Sequence, residues 1–500
     1  MTDKNENQEA FLGMFMNCFT FRLAKGIELS NENNNYKIIS TSPMRIIRLN
    51  KALYEIIKYL ITGHKLYELI KNQSPLQIKS ISSTILSLVS KGYLEIECNP
   101  ECNCEENYPF ITVVIPVKNR RDEIGDCLNS LVKLDYPKDK YEIVVVDDGS
   151  TDDTKQVVNA FNVRLISQPV SRGPAFCRNI GVKEANGEII AFIDSDCTSN
   201  PAWLKQLIPY FAFNGIGAVG GFVQNYYSKS ALDKYETAYS SLNMGKRLLF
   251  DSDSRSSFYV PTCNLLVRKD IFNKINGFND DMHVGEDVDL CWRMRNTGHF
   301  LLYVPTGSVA HKHRNKLFKM LRRKFDYGTS ESDLYLRHNN KEKVFPAPIY
   351  ATLSYITLLI MVMYGNTKFI SIIFGLLGIE FANKLLTIKK NKATEFKPLT
   401  LLWAVIKNTF STYYYFSYHL IRYYIIPLIL ICLIIPLAWR DMAIMILIPS
   451  IVNYYQKKPR INFISFLIFF VMDNLFYQMG VFAGCLKIKN FRCYSLRFKI

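Results

Sequence analysis

Apolar and polar residues follow three different patterns along the 500 residues of the chain. In residues 18–97, short apolar strands flank the polar turn "SNENNN", and apolar residues then recur at helical spacing, as in "LNKALYEIIKYLITG". This pattern predicts strands, three helices and a closing strand, which together form a winged-helix-like module. Modules of this kind bind DNA or act as docking domains, and both functions stay open here.

Residues 108–335 alternate continuous β-branched runs, such as "YEIVVVDDGS" and "EIIAFIDSD", with helical stretches. The alternation predicts an α/β domain whose largely parallel sheet is covered on both faces. Ligands of such sheets bind beyond the carboxyl ends of the strands. Four carboxylates stand at those ends: Asp147, Asp148, Asp194 and Asp196.

The chain becomes mostly apolar from Pro346 onward. Residues 346–364 and 369–386 are each about long enough to cross a bilayer, which takes about 20 residues. Lysines flank both outer ends, whereas the short connection contains only Lys368. This charge bias predicts a helical hairpin with both ends in the cytoplasm.

Further apolar segments follow the predicted hairpin. The aromatic stretch "LTLLWAVIKNTFSTYYYFSYHL" is expected in the membrane interface, and residues 423–455 hold two apolar segments interrupted by "WRD". A single crossing by residues 461–485 would bury Asp473, Asn474 and Gln478 and leave the basic residues that follow outside the cell. A broken or surface-lying helix is therefore expected there.

Charge and cysteine content indicate a membrane protein in a reducing compartment. Residues 337–500 contain twenty Lys and Arg against five Asp and Glu, so they hold +15 of the net charge of +17. Because these basic residues border apolar runs, they indicate membrane anchoring, and no nucleic-acid partner is expected. Twelve cysteines without regular spacing indicate reduced thiols in the cytosol. The polar N-terminus predicts no cleaved signal peptide.

Asp194 and Asp196 are separated by a single residue at the end of a predicted buried strand. Each carboxylate raises the free-energy cost of ionising the other, so a cation beside them is expected. A divalent metal ion, Mg²⁺ or Mn²⁺, would neutralise the carboxylates and hold phosphate groups. The alternative is an Asx-type turn in which both side chains accept hydrogen bonds from backbone N–H groups.

Four motifs occur in order: "VVIPVKNRRDEIGDCLNSL", "EIVVVDDGSTDDT", "RGPAFCRNIGVKEANGEIIAFIDSD" and "GEDVDLCWRMRNTG". Over about residues 108–315 the chain thereby resembles the family-2 glycosyltransferases of the GT-A fold. The resemblance implies a nucleotide-sugar donor and a divalent metal. It places Pro116 and Asn119 beside the nucleotide, Asp148 on the base or ribose, Arg178 near the sugar phosphate, and Asp194 and Asp196 on the metal.

The residue types themselves fit this donor site. Asp147 and Asp148 precede the helix-start sequence "GSTDDT", so capping and function both stay open for Asp147. Arg172 and Arg178 place two cations opposite a diphosphate. An exposed salt bridge is the alternative for Arg172.

The acids of the "GED" motif and several residues from the later part of the domain are candidates for the acceptor side of the site. Asp287 and Asp289 lie with Glu286 at a predicted helix start, where carboxylates cap the helix and interact favourably with its dipole. The resemblance implies that Asp287 is the general base of an inverting transfer and that Glu286 orients the acceptor, while Asp289 is structural. It also implies metal or phosphate contact for His311, and acceptor-side positions for Cys263, Asn264 and Trp292, with packing alone as the alternative for Trp292.

Two further resemblances concern the ends of the chain. "SPMRIIRLNKALYEIIKYL" and "ILSLVSKGYLEIE" resemble the PqqD-like domains that recognise precursor peptides, which implies peptide capture by strand addition. With "RRKFDYGTSESDLYLRH" and "MDNLFYQMGVFAGCLK", the order of segments resembles the mycofactocin-system glycosyltransferases. Such enzymes are implied to add glucose units to a redox cofactor matured from a ribosomal peptide. The stretch "LRRKFDYG" replaces the Gln-x-x-Arg-Trp motif of processive synthases, which argues against a polysaccharide-translocating enzyme.

The predicted fold class is α/β: a GT-A domain between an N-terminal winged-helix-like, PqqD-like domain and a C-terminal α-helical membrane region. The predicted protein is a membrane-bound hexosyltransferase with a cytoplasmic catalytic domain, using UDP-glucose, a peptide-derived acceptor and Mn²⁺ or Mg²⁺. The alternatives are a generic membrane glycosyltransferase making a polysaccharide or glycolipid, and a catalytically silent peptide-binding scaffold. The predicted boundaries are 1–17 for a disordered N-terminus, 18–97 for the PqqD-like domain, 98–107 for a linker, 108–335 for the transferase and 336–500 for the membrane region.

Overall fold

The computed structural model of the chain describes residues 15–32, 34–41, 44–98, 108–251, 258–339, 341, 343–390 and 398–499. Of the predicted disordered N-terminus, only residues 15–17 are described, and Phe15 and Met16 are buried there. The predicted linker lies outside the described residues except for Cys98. The chain divides into two compact units, the first with Met1–Ile39, Ile46–Ser228 and Ser240–His313, the second with Ser40–Arg45, Lys229–Tyr239 and Arg314–Ile500.

Residues 19–98, as far as the structure describes them, contain two small sheets and three helices, in the order that the sequence predicts. β1 (Phe19–Leu23) pairs antiparallel with β5 (Leu94–Cys98), and the strands between them form a sheet in the order β2, β3, β4. Side chains cap two helix starts: Asn50 accepts a hydrogen bond from the N–H of Leu53 at 2.8 Å, and Ser74 begins a capping box. The other elements are β2 (Ile27–Glu32), β3 (Asn35–Thr41), β4 (Met44–Arg48), α1 (Lys51–Ile61), α2 (Leu66–Ile70) and α3 (Pro75–Ser90).

An eight-stranded mixed sheet forms the centre of the first unit, in the order β13, β15, β11, β14, β9, β6, β7, β8. The strands β6 to β9 run parallel, and every residue of β6 (Ile111–Val117) is buried, as expected for a strand covered on both faces. The sheet is largely parallel, as expected: β11 and β15 also pair in parallel, whereas β13 and β14 run antiparallel to their neighbours. The other strands are β7 (Tyr141–Asp147), β8 (Arg164–Ser167), β9 (Ile189–Phe192), β11 (Ile216–Gly220), β13 (Leu249–Asp251), β14 (Leu265–Arg268) and β15 (Phe300–Tyr303).

Helices cover the two faces of this sheet. Successive residues of β6 pack into different hydrophobic clusters: Val113 shares one with Leu128, and Val114 shares another with Val182. A separate three-stranded sheet has the order β10 (Cys197–Ser199), β16 (Val309–His311), β12 (Val223–Asn225). The helices of the first unit after β5 are α4 (Ile124–Leu131), α5 (Thr154–Asn159), α6 (Pro174–Lys183), α7 (Trp203–Leu207), α9 (Lys269–Lys274) and α10 (Glu286–Asn296).

The second unit is mainly helical. Among its described residues, three helices are long and apolar enough to cross a membrane: Phe369–Ile388, Pro398–Ile434 and Phe463–Ile488. The helix over the first predicted span has 16 residues and is shorter than these. The elements are α8 (Ala231–Tyr239), α11 (Leu317–Arg337), β17 (Lys343–Pro346), α12 (Ile349–Tyr364), α13 (Phe369–Lys390), α14 (Pro398–Ile434), α15 (Ala438–Lys457), α16 (Phe463–Ile488) and β18 (Leu496–Lys499).

The expectation of a broken or surface-lying helix near the C-terminus is wrong. The helix α16 is continuous over 26 residues, and Asp473, Asn474 and Gln478 are buried inside the second unit. Asp473 forms ion pairs with Lys324 at 2.9 Å and with Arg422 at 3.3 Å. Because these partners come from other helices, the hydropathy pattern of α16 alone could not reveal them.

The aromatic stretch expected in the membrane interface is the first half of α14, a 37-residue helix that bends at Tyr424. Pro427 accounts for the bend, because its ring clashes with the carbonyl one turn earlier. The N–H of Ile426 donates to Gln478 Oε1 at 2.9 Å, which satisfies a half-buried donor beside the bend. Two helices cover the two apolar segments predicted in residues 423–455, and the break between them, at residues 435–437, directly precedes the first turn of α15, which contains Arg440 and Asp441.

Three glycines allow α11 and α16 to pack backbone against backbone. A Cβ atom added at Gly328 would overlap the carbonyl oxygen of Tyr477, and one added at Gly480 or Gly484 would overlap a carbonyl oxygen of α11. Small residues permit such close approach between helices in membranes. The segments "RRKFDYGTSESDLYLRH" and "MDNLFYQMGVFAGCLK" therefore form one packed helix pair.

Candidate active site

Parallel pairing brings the predicted donor-site carboxylates to one edge of the central sheet. In this pairing β6 places Val117 opposite Asp147 of β7, and Val114 opposite Phe192 of β9. The carboxyl ends of β7 and β9 consequently lie at the same edge. The aspartates that follow these two strands share that edge.

Asp147 has the contacts of a capping residue. Its side chain is fully buried, and Oδ1 accepts a hydrogen bond from the N–H of Ser150 at 3.2 Å. Lys155 Nζ lies 3.3 Å from Oδ2. Of the two roles left open for Asp147, these contacts favour capping.

Asp148 organises the loop that leads into α6. Its carboxylate accepts hydrogen bonds from Ser171 Oγ at 2.6 Å and from the N–H groups of Arg172 at 2.7 Å and Gly173 at 3.0 Å. Burial alone would raise the pKa of Asp148, but these hydrogen bonds outweigh burial and lower the pKa below its ordinary value. Gly173 has a φ of 96°, a left-handed conformation that favours glycine at the helix start. Asp148 therefore shapes the backbone just before the helix that carries Arg178.

Asn119 joins two loops at the same edge. It has a left-handed φ of 50°, and its Oδ1 accepts a hydrogen bond from the N–H of Thr151 at 2.8 Å. Its own N–H donates to Ser150 Oγ at 2.9 Å. Pro116, by contrast, is buried within β6. The loops after β6 and β7 are thus fastened together where the nucleotide is predicted.

Arg178 connects the two acidic motifs. Its side chain is 4% exposed; Nη2 donates to Asp194 Oδ1 at 2.7 Å, and Nη1 donates to Glu286 Oε1 at 2.9 Å. Burial alone would lower the pKa of Arg178, but Asp194 and Glu286 outweigh it and raise the pKa. One guanidinium therefore holds both Asp194, which is predicted to bind the metal, and Glu286, which is predicted to orient the acceptor.

Asp196 lies in the turn between β9 and β10, beside several polar partners. His311 Nε2 is 3.6 Å from Asp196 Oδ1, and Arg120 Nη2 is 3.6 Å from Asp196 Oδ2. Asp196, Cys197 and His311 each offer one ligand atom, and these atoms lie within 4.8 Å of one another. In the described part of the chain, Asp194 is not a member of this group of potential metal ligands.

The helix α10 begins with the acids of the "GED" motif. Gly285 has a left-handed φ of 84°, and Asp287 and Asp289 follow in the first turn, where the helix dipole stabilises carboxylates. Asp287 is half-buried, and its Oδ1 accepts a hydrogen bond from the next backbone N–H at 2.8 Å. Asp289 is buried and forms an ion pair with Arg293 at 2.6 Å, contacts that fit a structural role.

The charges of acids from both motifs act on the buried thiol of Cys263. A hydrogen bond with Cys197 lowers the pKa of Cys263, but burial and the charges of Asp194, Asp196 and Asp287 outweigh it, so the pKa is raised. A charge acts on the thiol in this way only if it lies nearby. This agrees with the ion pairs that join Asp194 and Glu286 through Arg178, which bring the acids after β9 and the start of α10 into one region of the first unit.

The three residues predicted on the acceptor side, Cys263, Asn264 and Trp292, are all buried. Asn264 is fully buried; its Oδ1 accepts a hydrogen bond from Trp203 Nε1 at 2.7 Å, and its Nδ2 donates to Phe222 O at 3.0 Å and Gly307 O at 2.9 Å. Trp292 is 3% exposed. Asn264 is thus held by hydrogen bonds within the first unit, and the burial of Trp292 fits packing, the alternative left open for it.

Sequence reasoning did not single out Arg120 and Cys197. Arg120 reaches Asp196 from the loop after β6, and Cys197 lies in the potential ligand group. Arg120 directly follows Asn119, and Cys197 directly follows Asp196. Their positions at the carboxyl ends of buried strands were the signals that could have identified them.

Comparison with known proteins identifies the class of protein to which this fold and site belong. The sequence model described as glycosyl transferase family 2 matches residues 112–275. Glycosyltransferase AglE of Haloferax volcanii is 30% identical over 235 residues, which are 46% of this chain and 75% of AglE. The chain belongs to glycosyl transferase family 2, and it is a hexosyltransferase with a GT-A fold.

A particular relative matches much more of the chain. Pre-mycofactocin glycosyltransferase of Mycobacterium tuberculosis is 28% identical over 393 residues, which are 76% of this chain and 80% of that protein. This confirms the resemblance to the mycofactocin-system enzymes, and the similarity extends well beyond residues 112–275. Among solved structures, mannosyltransferase PcManGT from Pyrobaculum calidifontis in complex with GDP-Man and Mn²⁺ is 17% identical, with a TM-score of 0.40 over 76% of this chain and 96% of that one.

Proposed function

We propose that the protein is a membrane-bound inverting glycosyltransferase that transfers glucose from UDP-glucose to a peptide-derived redox cofactor of mycofactocin type. The observation that carries this proposal is the pairing of Arg178 with Asp194 at 2.7 Å and with Glu286 at 2.9 Å. This pairing joins the donor-side acids to the start of α10, where a base for the acceptor hydroxyl is needed. The 28% identity with the mycobacterial enzyme supports the acceptor class.

We assign the donor nucleotide to the edge formed by the loops after β6 and β7. Pro116 supports β6 from within the sheet, Asn119 ties the loops together, and Asp148 fixes the backbone of Arg172. The exposed guanidinium of Arg172 lies over the ring of Phe176, 3.6 Å from its centroid, and forms a long, exposed ion pair with Asp280 at 4.0 Å, which a diphosphate can replace. The loop therefore needs little rearrangement when the donor binds.

The residues present fit a divalent metal beside the diphosphate. Asp196 and His311 offer an oxygen and a nitrogen 3.6 Å apart, and divalent transition metals accept both ligand types. These two side chains would hold Mn²⁺, while Asp194 stays paired with Arg178. A bound divalent cation compensates the negative charge that develops on the departing diphosphate.

We assign the role of general base to Asp287. Its position in the first turn of α10 stabilises the ionised carboxylate, the form that accepts a proton. Asp287 removes the acceptor proton as the acceptor oxygen attacks the anomeric carbon from the face opposite the nucleotide, which inverts the configuration. General-base assistance of this kind contributes about 10²–10⁴-fold to the rate. Glu286, held by Arg178, orients the acceptor.

The other parts of the chain capture the acceptor and hold the enzyme at the membrane. The PqqD-like domain at residues 18–97 captures a precursor peptide or the peptide part of the acceptor by adding it as a strand to a sheet edge. The three long apolar helices hold the enzyme in the membrane. Basic residues at the ends of the apolar segments favour a cytoplasmic catalytic domain.

Release of UDP by the purified full-length protein, with UDP-glucose and Mn²⁺, tests this proposal. We expect release that accelerates with the peptide-derived acceptor, and a decrease of at least about 100-fold in Asp287→Asn and Asp196→Asn. Asp281→Asn is the matched control, because Asp281 is an exposed acid before α10 to which no role in the site is assigned. Equal rates in the wild type and both active-site variants would exclude this enzymatic site, and release from a different nucleotide sugar alone would exclude UDP-glucose.

A further inference from the structure

We propose that Cys197 is a third protein ligand of the divalent metal, alongside Asp196 and His311, and that its sulfur makes the site prefer thiophilic cations over Mg²⁺. The inference rests on the proposed function, because it concerns the metal of the same site. The ligand atoms of the three side chains lie within 4.8 Å of one another. Cys197 Sγ is 3.9 Å from Asp196 Oδ1, and His311 Nε2 is 3.6 Å from the same oxygen.

Strand pairing explains why these atoms meet. In the antiparallel pair of β10 and β16, Cys197 lies directly opposite His311, and directly opposed side chains lie on the same face. Asp196 immediately precedes β10, and its carbonyl oxygen accepts a hydrogen bond from the N–H of Lys312 at 2.9 Å. The turn that carries Asp196 is thus fastened to the strand that carries His311, and the three side chains converge.

The chemistry of this ligand set favours a softer cation than Mg²⁺. Mg²⁺ prefers oxygen ligands, whereas thiolate and imidazole favour transition metals. Asp194 could supply a second carboxylate oxygen, but its Oδ1 accepts a hydrogen bond from Arg178 at 2.7 Å. On metal binding the S–H bond of Cys197 breaks, a sulfur–metal bond forms and the proton passes to solvent, with no oxidation or reduction.

A buried cysteine can also act only as a small apolar core residue. Cys197 is 1% exposed, and its thiol lies beside that of Cys263, which is 3% exposed. Cys263 does not belong to the ligand group in the described residues. Cys263 is therefore a control of the same chemistry and burial, and comparing the two cysteines separates a ligand from a packing residue.

Cobalt absorption spectroscopy on the full-length protein in detergent tests the assignment. Three cysteines, Cys98, Cys102 and Cys104, lie within seven residues of one another in the sequence, and in the background protein they are replaced by Ser so that they cannot bind Co²⁺. Titration with Co²⁺ is expected to give a near-ultraviolet thiolate-to-cobalt charge-transfer band, which Cys197→Ser abolishes and Cys263→Ser retains. The ratio of Co²⁺ to Mg²⁺ affinity, from calorimetry, is expected to fall at least about tenfold in Cys197→Ser alone.

Absence of the band in the background protein, or its persistence in Cys197→Ser, overturns the assignment. The first outcome is measured on the background protein, which retains Cys197, so a folding defect of Cys197→Ser cannot cause it. UDP release is measured on the same samples. Metal-dependent UDP release without the band rejects Cys197 as a ligand and leaves the proposed function intact, whereas the band without UDP release supports the ligand and rejects the function.

Discussion

Arg178 Nη2 donates a hydrogen bond to Asp194 Oδ1 at 2.7 Å, so a buried guanidinium holds the first carboxylate of the Asp-Ser-Asp turn. The other terminal nitrogen of the same guanidinium holds Glu286 at 2.9 Å. A planar guanidinium presents N–H donors to the two carboxylates from separate nitrogens in fixed directions, whereas the ammonium group of lysine offers a single nitrogen on a flexible stem. The geometry of both acidic motifs therefore depends on a single side chain.

Replacing Arg178 with lysine is expected to lower kcat for UDP release by about 10²-fold, because the lysine reaches one of the two carboxylates and leaves the other displaced. The free energy of unfolding in urea is expected to fall by about 3 kcal/mol, since a partly buried carboxylate loses its partner. Arg164→Lys is the matched control, because Arg164 forms an exposed ion pair with Glu184. Such pairs contribute at most about 1 kcal/mol. Equal losses in the two variants would contradict the special role of Arg178.

Acid pH is expected to destabilise the first unit in part through Asp148. Hydrogen bonds from the Ser171–Gly173 loop lower the pKa of Asp148 despite its burial, so the ionised carboxylate stabilises the folded state. This stabilisation is present above the pKa of the unfolded chain and is lost as the pH falls through the lower folded pKa. The difference in free energy of unfolding between the wild type and Asp148→Asn should therefore shrink on acidification. A difference that stays constant from neutral to acid pH in urea titrations would exclude this contribution.

The features of the fold and site that can be predicted from the sequence are those encoded by residues close together in the chain. The buried run "YEIVVVDD" ends in aspartates, and parallel pairing must bring such strand ends together. Contacts between distant segments carry no comparable signal. The partners of Asn264 and the register that places Cys197 opposite His311 depend on which strands pair. In the sequence, Asp473 is only a polar residue within an apolar segment. Its ion-pair partner Lys324 lies on another helix, so the sequence gives no signal of this pair.

Helix packing in the second unit predicts an unusual effect for a glycine substitution. In an isolated helix, Gly→Ala stabilises by about 1 kcal/mol. At Gly480, however, the added Cβ would overlap the carbonyl oxygen of Phe325, so Gly480→Ala is expected to lower the thermal unfolding midpoint in detergent. Gly375→Ala in α13 is the matched control, because a Cβ there meets no atom within 4 Å. A midpoint lowered equally in both variants would show that close packing is not the cause.

Lys324 is expected to be a major contributor to the stability of the second unit. It is buried in α11, 2.9 Å from Asp473 Oδ2 and 3.5 Å from Glu236 Oε1. Lys324→Met removes the positive charge and leaves Glu236 without this ion pair, while Arg422 remains 3.3 Å from Asp473. Breaking a buried ion pair in this way costs about 3–5 kcal/mol. Unfolding in mixed micelles with increasing SDS measures the loss.

An exposed lysine of the same helix separates the lost ion pair from a general effect of replacing lysine by methionine. Lys319 is exposed on α11, so Lys319→Met is expected to change the free energy of unfolding by no more than about 0.5 kcal/mol. Adding Asp473→Asn to Lys324→Met should recover part of the loss, because the unpaired buried charge is then removed. If Lys324→Met were as stable as Lys319→Met, the buried ion pairs of α16 would not hold this helix in place.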